Sequence, residues 1–332
     1  MSLAGAAGGS AGRGPRAGIV ADLRARAART GRRVAFPETG DPRTLDAVRG
    51  MVAGAIVAPV LVLDAAQPAT HDGVRAFAQS LAVPVVEPGP GGALATAMEL
   101  ARAGEVDACV AGAAHTTAAV LRAALRIVGK APGARVVSSA FYMIVSRPDG
   151  DGSEDMITFT DCAVVPEPTP DQLADIAIAA ARDRVRVVGD TPRVAFLSYS
   201  TYGSGGPNAP AVVRVREALA LARQRAPEVL MDGELQGDAA VVAAVAERKG
   251  SAGAVAGHAN VLVFPSLDAG NIAYKLVERL GGAVAIGPIL QGLARPCADL
   301  SRGAGPDDII NAAAVTALLA AAPTSRWGEM HR

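Results

Sequence analysis

The chain has 332 residues, of which half are hydrophobic and 3% aromatic, and its 32 Lys and Arg residues balance 32 Asp and Glu residues. This length allows two domains with a substantial buried core, and the balanced charge argues against nucleic acid as the main partner. Three scattered cysteines lack CxxC or zinc-ligand spacing, which argues against a disulfide framework and a structural metal. Because no apolar run approaches the roughly 20 residues that span a bilayer, we expect a soluble, cytoplasmic protein.

The N-terminal region combines a biased tail with the first regular elements. Residues 1–18 are rich in Gly, Ala and Arg and lack the apolar segment of a secretory signal, so we predict a disordered tail. A helical pattern from Ile19 to Thr30 leads into a short apolar strand that ends at Pro37. The next segment predicts a helix with Asp41 as N-cap and Pro42 in the first helical position.

Val-rich strands and helical segments alternate through the rest of the chain. This alternation predicts an α/β fold with mainly parallel sheets. We expect domain I over residues 19–147 and 295–332 and domain II over residues 148–294, with the boundary near residue 148, just before the Asp-Gly-Asp-Gly turn of 149–152. The predicted strands after the first are PVLVLD, VPVVEP, DACVAGA, VVSSAFYMIV, MITFTDCAVV, RVAFLSYS, EVLMDGEL and NVLVFPS.

The segment before the last helix is irregular and polar. Asp307 and Asp308 lie in the first turn of that helix, where acidic side chains suit the helix dipole, so helix stabilisation alone explains both. Ser301, Arg302 and Gly303 precede it in a loop that ends at a helix N-terminus, a setting that favours anions. From these residues alone, the segment is explained equally well by stabilisation of the helix end and by binding of an anion.

A second polar segment, LSYSTYGSGGPNAP over 197–210, joins a strand to a helix. Gly203, Gly205 and Gly206 allow unusual backbone angles, and successive N–H groups there can cradle an anion. The segment lacks the Gly-Lys-Ser/Thr ending of a phosphate-binding loop and the register of a dinucleotide fingerprint. The alternative is a flexible loop without a ligand.

A third segment, PSLDAGNIAYKLVERLGG, predicts a helix capped by Asp268 or Asn271. Lys275 follows one turn after Asn271. It is either an ordinary solvated lysine or a substrate ligand, because α/β sheets bind ligands at the carboxyl ends of their strands.

A fourth segment, AGAAHTTAAVLRAALRIVG, predicts a helix that starts at Thr116 and Thr117. Arg122 lies within its apolar stretch. It either extends along the surface to reach water or presents its planar guanidinium to an anion.

Together these segments resemble the phosphate acetyltransferase (phosphotransacetylase) family over about residues 33–320. The related phosphate butyryltransferases share the fold and the end motif, whereas SYSTYGSG and DGELQGDAAV look like the acetyl enzymes. The matching strings are PETGDPRTLDA, VAGAAHTTAAVLRAAL, FTDCAVVPEPTPDQLADIA, RVAFLSYSTYGSG, VREAL, MDGELQGDAAV, HANVLVFPSLDAGNIAYKLVERLGG and AIGPILQGLARPCADLSRG.

The resemblance implies two α/β domains of the isocitrate-dehydrogenase-like type with an active-site cleft between them, and usually a homodimer. It implies reversible transfer of acetyl between coenzyme A and inorganic phosphate, with no metal and no cofactor beyond CoA and acetyl-CoA as substrates. We expect direct attack in a ternary complex. A covalent route through Cys297 or Ser301 is the alternative.

Residue roles follow from the same resemblance. Ser301 and Arg302 match the Ser-Arg of the family's active site, and Asp308 matches the carboxylate proposed to take the CoA thiol proton. Arg122 matches an arginine that holds substrate. The predicted substrate-binding set is Arg122, Thr117, Ser139, Asn271 and Lys275.

The chain also departs from the family pattern. Ala304 and Gly305 stand where the family has Cys-Ser, and Arg122 is followed by Ala rather than Pro. The region before Asp107 is shorter than usual, which leaves Arg102 as the candidate for a second substrate-binding arginine. The alternatives are a transferase that prefers propionyl or butyryl, a non-catalytic acyl-CoA-sensing module, and a metal-dependent NAD(P) hydroxyacid dehydrogenase.

Overall fold

A computed structural model describes residues 16–146, 153–251 and 253–321. Most of the predicted tail and the predicted turn at 149–152 lie outside these ranges. The first helix begins at Arg16, three residues before the predicted start. The tail therefore stays a prediction for residues 1–15.

Helices and strands alternate along the described chain, as the sequence pattern predicts. The strands are β1 (Arg33–Phe36), β2 (Ala58–Val62), β3 (Val85–Val86), β4 (Ala108–Ala111), β5 (Ser138–Ser146), β6 (Glu154–Thr160), β7 (Arg193–Leu197), β8 (Leu230–Leu235), β9 (Val261–Val263), β10 (Val284–Gln291) and β11 (Cys297–Asp299). The α-helices are α1 (Arg16–Ala28), α2 (Pro42–Ala53), α3 (His71–Ser80), α4 (Gly92–Ala103), α5 (Thr117–Ala123), α6 (Pro170–Val187), α7 (Pro210–Arg225), α8 (Gly237–Val241), α9 (Ala243–Arg248), α10 (Leu267–Arg279) and α11 (Pro306–Ala321).

The described strands form one 11-stranded sheet in the order β3-β2-β1-β4-β11-β10-β5-β6-β9-β7-β8. Neighbours in β3-β2-β1-β4-β11 and in β6-β9-β7-β8 pair in parallel. Antiparallel pairing through β10 and β5 joins these two sets, which therefore run in opposite directions. The predicted fold class, mixed α/β with a mainly parallel sheet, is confirmed. The domain limits stay a prediction.

Helix starts follow the local sequence in most cases. Asp41 caps α2 by accepting from the Arg43 N–H, with Pro42 in the first turn, as predicted. At α10 the prediction of Asp268 or Asn271 as cap is wrong. Ser266 is the cap, because its backbone is extended and its hydroxyl accepts from the N–H of Ala269, whereas Asp268 already lies in the first turn.

In two segments the secondary structure differs from the prediction. The sequence pattern from Asp238 to Glu247 predicts a single helix, but the structure has two short helices, α8 and α9, because Val242 between them is extended, with φ −120° and ψ 109°. The segment LARPCADLSRG, predicted to be irregular, contributes strand β11 to the centre of the sheet. Its three residues are too few to show a strand periodicity.

The core covers both faces of the sheet. Val34 and Phe36 on β1 pack with α2 and α11 on one face, and the intervening Ala35 packs with α4 on the other. Helix α11 is buried along most of its length, which explains its apolar sequence. The polar loop before it is thereby held between a central strand and a buried helix.

No helix among the described residues is both long and apolar enough to cross a bilayer.

Candidate active site

A cavity of about 240 Å³ lies where the β4 and β11 loops leave the sheet. Because β11 pairs in parallel with β4, with Asp299 opposite Ala111, both loops emerge side by side. Helix α10 forms the opposite wall, where the Tyr274 ring stacks on Phe141 of β5 at 3.9 Å between centroids. The residues that line this cavity are His115, Thr117, Ala163, Leu267, Asn271, Tyr274, Lys275, Pro288, Asp299, Leu300, Ser301 and Arg302.

The cavity brings together five of the residues predicted from the sequence: Thr117, Asn271, Lys275, Ser301 and Arg302. The Lys275 Nζ donates to the Asn271 Oδ1 at 2.8 Å, and the Asn271 Nδ2 donates to the backbone oxygen of Cys162 at 3.0 Å. The amide thus orients the lysine on the wall of the cavity. Ser301 and Arg302 are exposed in the facing loop.

Three other predicted residues do not line the cavity. Arg122 is exposed on α5 outside it. Asp308 is half-buried in the first turn of α11, where its Oδ2 accepts from the Gly305 N–H at 2.8 Å. Ser139 is fully buried and its hydroxyl donates to Asp161, and its predicted role in substrate binding stays a prediction.

The two remaining sequence candidates also lie outside the cavity. Arg102 is exposed in the last turn of α4. Cys297 is buried, and burial raises the pKa of its thiol to about 12, which leaves almost no thiolate for a covalent route near neutral pH. Cys109 and Cys162 are buried as well. Across the described ranges, no three His, Cys, Asp or Glu side chains form a group that can hold a metal.

Arg43 holds the Ser301–Ala304 loop in place. Its Nη1 donates to the backbone oxygens of Arg302 at 2.8 Å and Ala304 at 2.9 Å, and its Nη2 donates to that of Ala113 at 2.8 Å. Asp41 fixes the guanidinium through its own carboxylate. Sequence reasoning missed this role, since a backbone acceptor leaves no trace in the pattern of side chains.

The loop after β4 is built around a buried carboxylate, Glu38. It accepts from the N–H groups of Gly112, Ala113, Ala114 and His115 at 2.8–3.0 Å and from the His115 Nδ1 at 2.8 Å. Burial opposes ionisation, but the bonds from the His115 ring and the N–H groups outweigh it and hold the pKa of Glu38 below its usual value. The same contact raises the pKa of His115.

Two more buried carboxylates organise loops in the same way. Asp161 accepts from Ser139 and from three nearby backbone N–H groups. Glu234 accepts from the Gly203 N–H at 2.6 Å and from the Arg216 Nε at 2.7 Å. The Gly203 N–H of the Gly-rich loop is therefore taken by an internal carboxylate, and the interpretation of the loop as an anion cradle stays a prediction.

Asp299, at the end of β11, is the carboxylate in the cavity wall. Only 1% of its surface is exposed. Burial raises its pKa to about 6, although the nearby Thr117 side chain acts in the opposite direction. Both of its carboxylate oxygens are buried, and neither has a close hydrogen-bond donor among the described residues. In the sequence Asp299 lies two residues before Ser301, but the sequence analysis assigned no function to it.

A larger cavity of about 500 Å³ lies between the loop of 131–136 and α6. It contains none of the predicted site residues. Its charged groups largely neutralise one another, since Arg135 pairs with Asp175 at 2.5 Å and Arg186 with Asp183 at 3.2 Å. The smaller cavity is therefore the candidate active site.

Comparison with known proteins agrees with this geometry. Residues 91–317 match the family described as "Phosphate acetyl/butaryl transferase". A phosphate acetyltransferase from Treponema pallidum is 40% identical over 327 residues, which cover 90% of this chain and 97% of that protein.

Solved structures give the same result. A phosphotransacetylase from Staphylococcus aureus superposes with a TM-score of 0.78 at 35% identity, covering 92% of this chain and 98% of the other. A 4-hydroxythreonine-4-phosphate dehydrogenase from Klebsiella pneumoniae shares only the fold, with a TM-score of 0.52 at 15% identity over 88% of this chain and all of the other. The predicted transferase class is thereby confirmed, and this chain belongs to the phosphate acetyl/butaryl transferase family.

Proposed function

We propose that this chain transfers acetyl between CoA and inorganic phosphate by direct attack within a ternary complex in the 240 Å³ cavity. The observation that carries the proposal is the convergence of Ser301, Arg302 and Lys275 on one small cavity in a chain of this family. Two cations and a hydroxyl suit an anionic phosphate and the oxyanion of a reacting thioester.

Each residue of the proposed active site has a separate role in the reaction. Arg302 neutralises the phosphoryl or carbonyl oxygen, and Ser301 orients the thiol or stabilises the oxyanion. Asp308 takes the thiol proton when acetyl phosphate and CoA are the substrates. A thiol with a pKa near 8.5 is mostly protonated at neutral pH, so a positioned base accelerates the attack about 100-fold or more. Thr117 and Asn271 position the substrates.

Formation of acetyl phosphate from acetyl-CoA and phosphate tests this function directly. The Asp308→Asn variant should lower kcat about 100-fold or more. Asp307→Asn is the matched control, because the neighbouring Asp307 is 82% exposed and pairs with Arg24. If the Asp308→Asn variant turns over at the wild-type rate, Asp308 is not the base. If the wild-type protein itself forms no acetyl phosphate, the proposed function is excluded.

Two measurements separate the proposed mechanism from its rivals. Turnover that EDTA does not affect, without a change in nicotinamide absorbance, supports a transferase that needs no metal or redox cofactor. Radiolabelled acetyl that stays on the denatured protein contradicts direct transfer.

Acyl selectivity is the finer part of the proposal. We expect acetyl-CoA to be preferred over propionyl- and butyryl-CoA, in keeping with the names of the relatives at 40% identity and above. Each added methylene changes discrimination by only about 1–3 kcal/mol, so the three substrates should be compared by kcat/KM.

The proposal includes a homodimer in the cytoplasm. Helix α10 and its C-cap support the dimer, since Ile272, Leu276 and the capping Leu280 are 57%, 51% and 82% exposed and recur every four residues. Light scattering after size-exclusion chromatography measures the assembly. A mass of one chain at micromolar concentration contradicts it.

A further inference from the structure

His115 lies in the lining of the active-site cavity together with Arg302 and Lys275. Its side chain is 32% exposed, whereas that of Glu38, which its Nδ1 contacts, is only 3% exposed. Because the two nitrogens of an imidazole point in nearly opposite directions, a ring whose Nδ1 faces this buried carboxylate turns its Nε2 toward the accessible side. No residue in the described ranges forms a hydrogen bond with that Nε2. The nitrogen is therefore available to a ligand in the cavity.

Glu38 fixes both the position and the protonation of this ring. Its Oε1 lies 2.8 Å from the His115 Nδ1 and also accepts from the His115 backbone N–H at 2.8 Å. The backbone N–H groups from Gly112 to Ala114 bond to the same carboxylate at 2.8–3.0 Å. These donors hold the pKa of Glu38 below its usual value, so the carboxylate is ionised and only accepts hydrogen bonds. The proton of this contact is therefore on Nδ1.

The fixed Nδ1 proton makes His115 a donor to the cavity in one protonation state only. A neutral imidazole has a single N–H, which Glu38 engages, so Nε2 then presents a lone pair that repels an anion. The imidazolium has a second N–H at Nε2 and can make a charge-assisted hydrogen bond to an oxyanion. The hydrogen bond to Glu38 raises the pKa of His115, which keeps the ring protonated to a higher pH than a free histidine.

We infer that His115 binds the phosphate group of the substrate through an Nε2–H that only its protonated form possesses. The residue thereby adds a third cationic contact to those of Arg302 and Lys275. This role rests on the proposed function in one respect, that phosphate binds in this cavity. It applies to inorganic phosphate and to the phosphoryl end of acetyl phosphate alike, since both present oxyanions.

Other charged groups surround the His115 ring, and their effects on a bound anion must be separated from its own. They are Glu38, Asp64, Asp299, Arg43, Lys275 and Arg302. Because the pKa of Asp299 is about 6, this carboxyl is mostly ionised before the pH reaches 7. A comparison of two proteins at the same pH cancels the effects that they share, including the titration of phosphate itself.

Calorimetric titration of the full-length protein with inorganic phosphate tests the contact. At pH 7, His115→Gln should bind phosphate about tenfold more weakly than the wild type, because it lacks the charge-assisted hydrogen bond. At pH 9 the two proteins should differ by less than about twofold, because the neutral wild-type ring has no Nε2–H to offer. His71→Gln, on α3 and outside the cavity, is the matched control and should bind like the wild type at both pH values. Equal weakening of His115→Gln at both pH values, or no weakening at either, overturns the contact.

Circular dichroism reports whether His115→Gln folds, and a measurement on the wild-type protein decides the matter if it does not. Nuclear magnetic resonance of the histidine rings gives their pKa values with and without saturating phosphate. Phosphate should raise the pKa of one ring by about one unit, which corresponds to tenfold tighter binding to the protonated form. If no ring shifts, or if phosphate does not bind, His115 does not hold the anion.

The acetyl phosphate assay can fail independently of these measurements. A protein that makes acetyl phosphate, but whose affinity for phosphate does not depend on His115, retains the proposed function and loses this contact. A protein that binds phosphate with the expected pH dependence but makes no acetyl phosphate retains the contact and loses the function.

Discussion

The guanidinium of Arg43 is hydrogen-bonded to the backbone oxygen of Arg302, 259 residues away in the chain, at 2.8 Å. This contact ties the first turn of α2 to the loop that carries the proposed active-site serine and arginine. The loop has few other restraints from side chains, since the Ser301 hydroxyl accepts only a 3.3 Å bond from the Gly303 N–H among the described contacts. Arg43 is therefore the main positioning residue for this loop.

Replacing Arg43 with Gln should impair catalysis through the position of the loop. We expect kcat/KM to fall about tenfold or more, because misplacing a reacting group by about 1 Å costs up to 100-fold. The free energy of unfolding should fall by about 1–3 kcal/mol, since backbone oxygens lose charged donors. Steady-state kinetics and urea denaturation measure both. Arg49→Gln is the control, because the exposed Arg49 contacts Asp46 on the same helix and the Phe77 ring rather than the Ser301–Ala304 loop. Equal kinetics in the two variants contradict the role.

Arg302→Gln should remove transition-state stabilisation. We expect kcat/KM for phosphate to fall about 100-fold or more while the unfolding midpoint stays near that of the wild type, because the side chain is exposed and no described residue accepts from its guanidinium. Arg279→Gln, with a side chain 73% exposed on α10 and outside the cavity, serves as the matched loss of charge. A similar loss in both variants would mean that general attraction of anions, rather than a specific contact, explains the effect.

The Glu38–His115 contact should make stability depend on pH. The raised pKa of His115 means that its contribution is complete below its ordinary value, about 6.5, and is lost as pH rises through the raised value. The lowered pKa of Glu38 acts at the other end, so its contribution is present above about 4.5 and is lost as pH falls through the lowered value.

We therefore expect His115→Gln to lower the melting temperature more at pH 6 than at pH 9. His71→Gln is the control, because the His71 ring bonds to the backbone oxygen of Asp64 and pairs with no carboxylate in the described part of the chain. Differential scanning calorimetry at the two pH values gives the comparison. A decrease of the same size at both would show that the ion pair does not contribute.

Ser139→Ala separates a structural role from substrate binding. The hydroxyl donates to the buried Asp161, so its loss should lower the free energy of unfolding by about 1–2 kcal/mol. The KM values for acetyl-CoA and phosphate should change less than about twofold, because Ser139 is fully buried and outside the cavity. A rise in either KM without a loss of stability would support the predicted role of Ser139 in substrate binding.

Local sequence patterns predicted most elements because their causes are local. Asp41 and Pro42 start α2 as expected, since capping involves only neighbours in the chain. The break at Val242 and strand β11 were missed for the opposite reason. Both lie against segments distant in the chain, since the Gly257 N–H donates to the Ala239 oxygen of α8 and β11 inserts between β4 and β10.

The segment from Ser301 to Asp308 also combines features that follow from the local sequence with features that depend on distant residues. By residue type and resemblance, the sequence alone determined an α/β transferase whose site includes Ser301 and Arg302. Only the tertiary structure decided that Asn271 and Lys275 face that loop and that the Ser139 hydroxyl donates to Asp161. It also decided that the Asp299 carboxylate is buried in the cavity wall without a close hydrogen-bond donor. The physical reason is that helix caps and strand periodicity arise between near neighbours, whereas a cavity is formed by strand pairing between residues far apart, such as Ala111 beside Asp299.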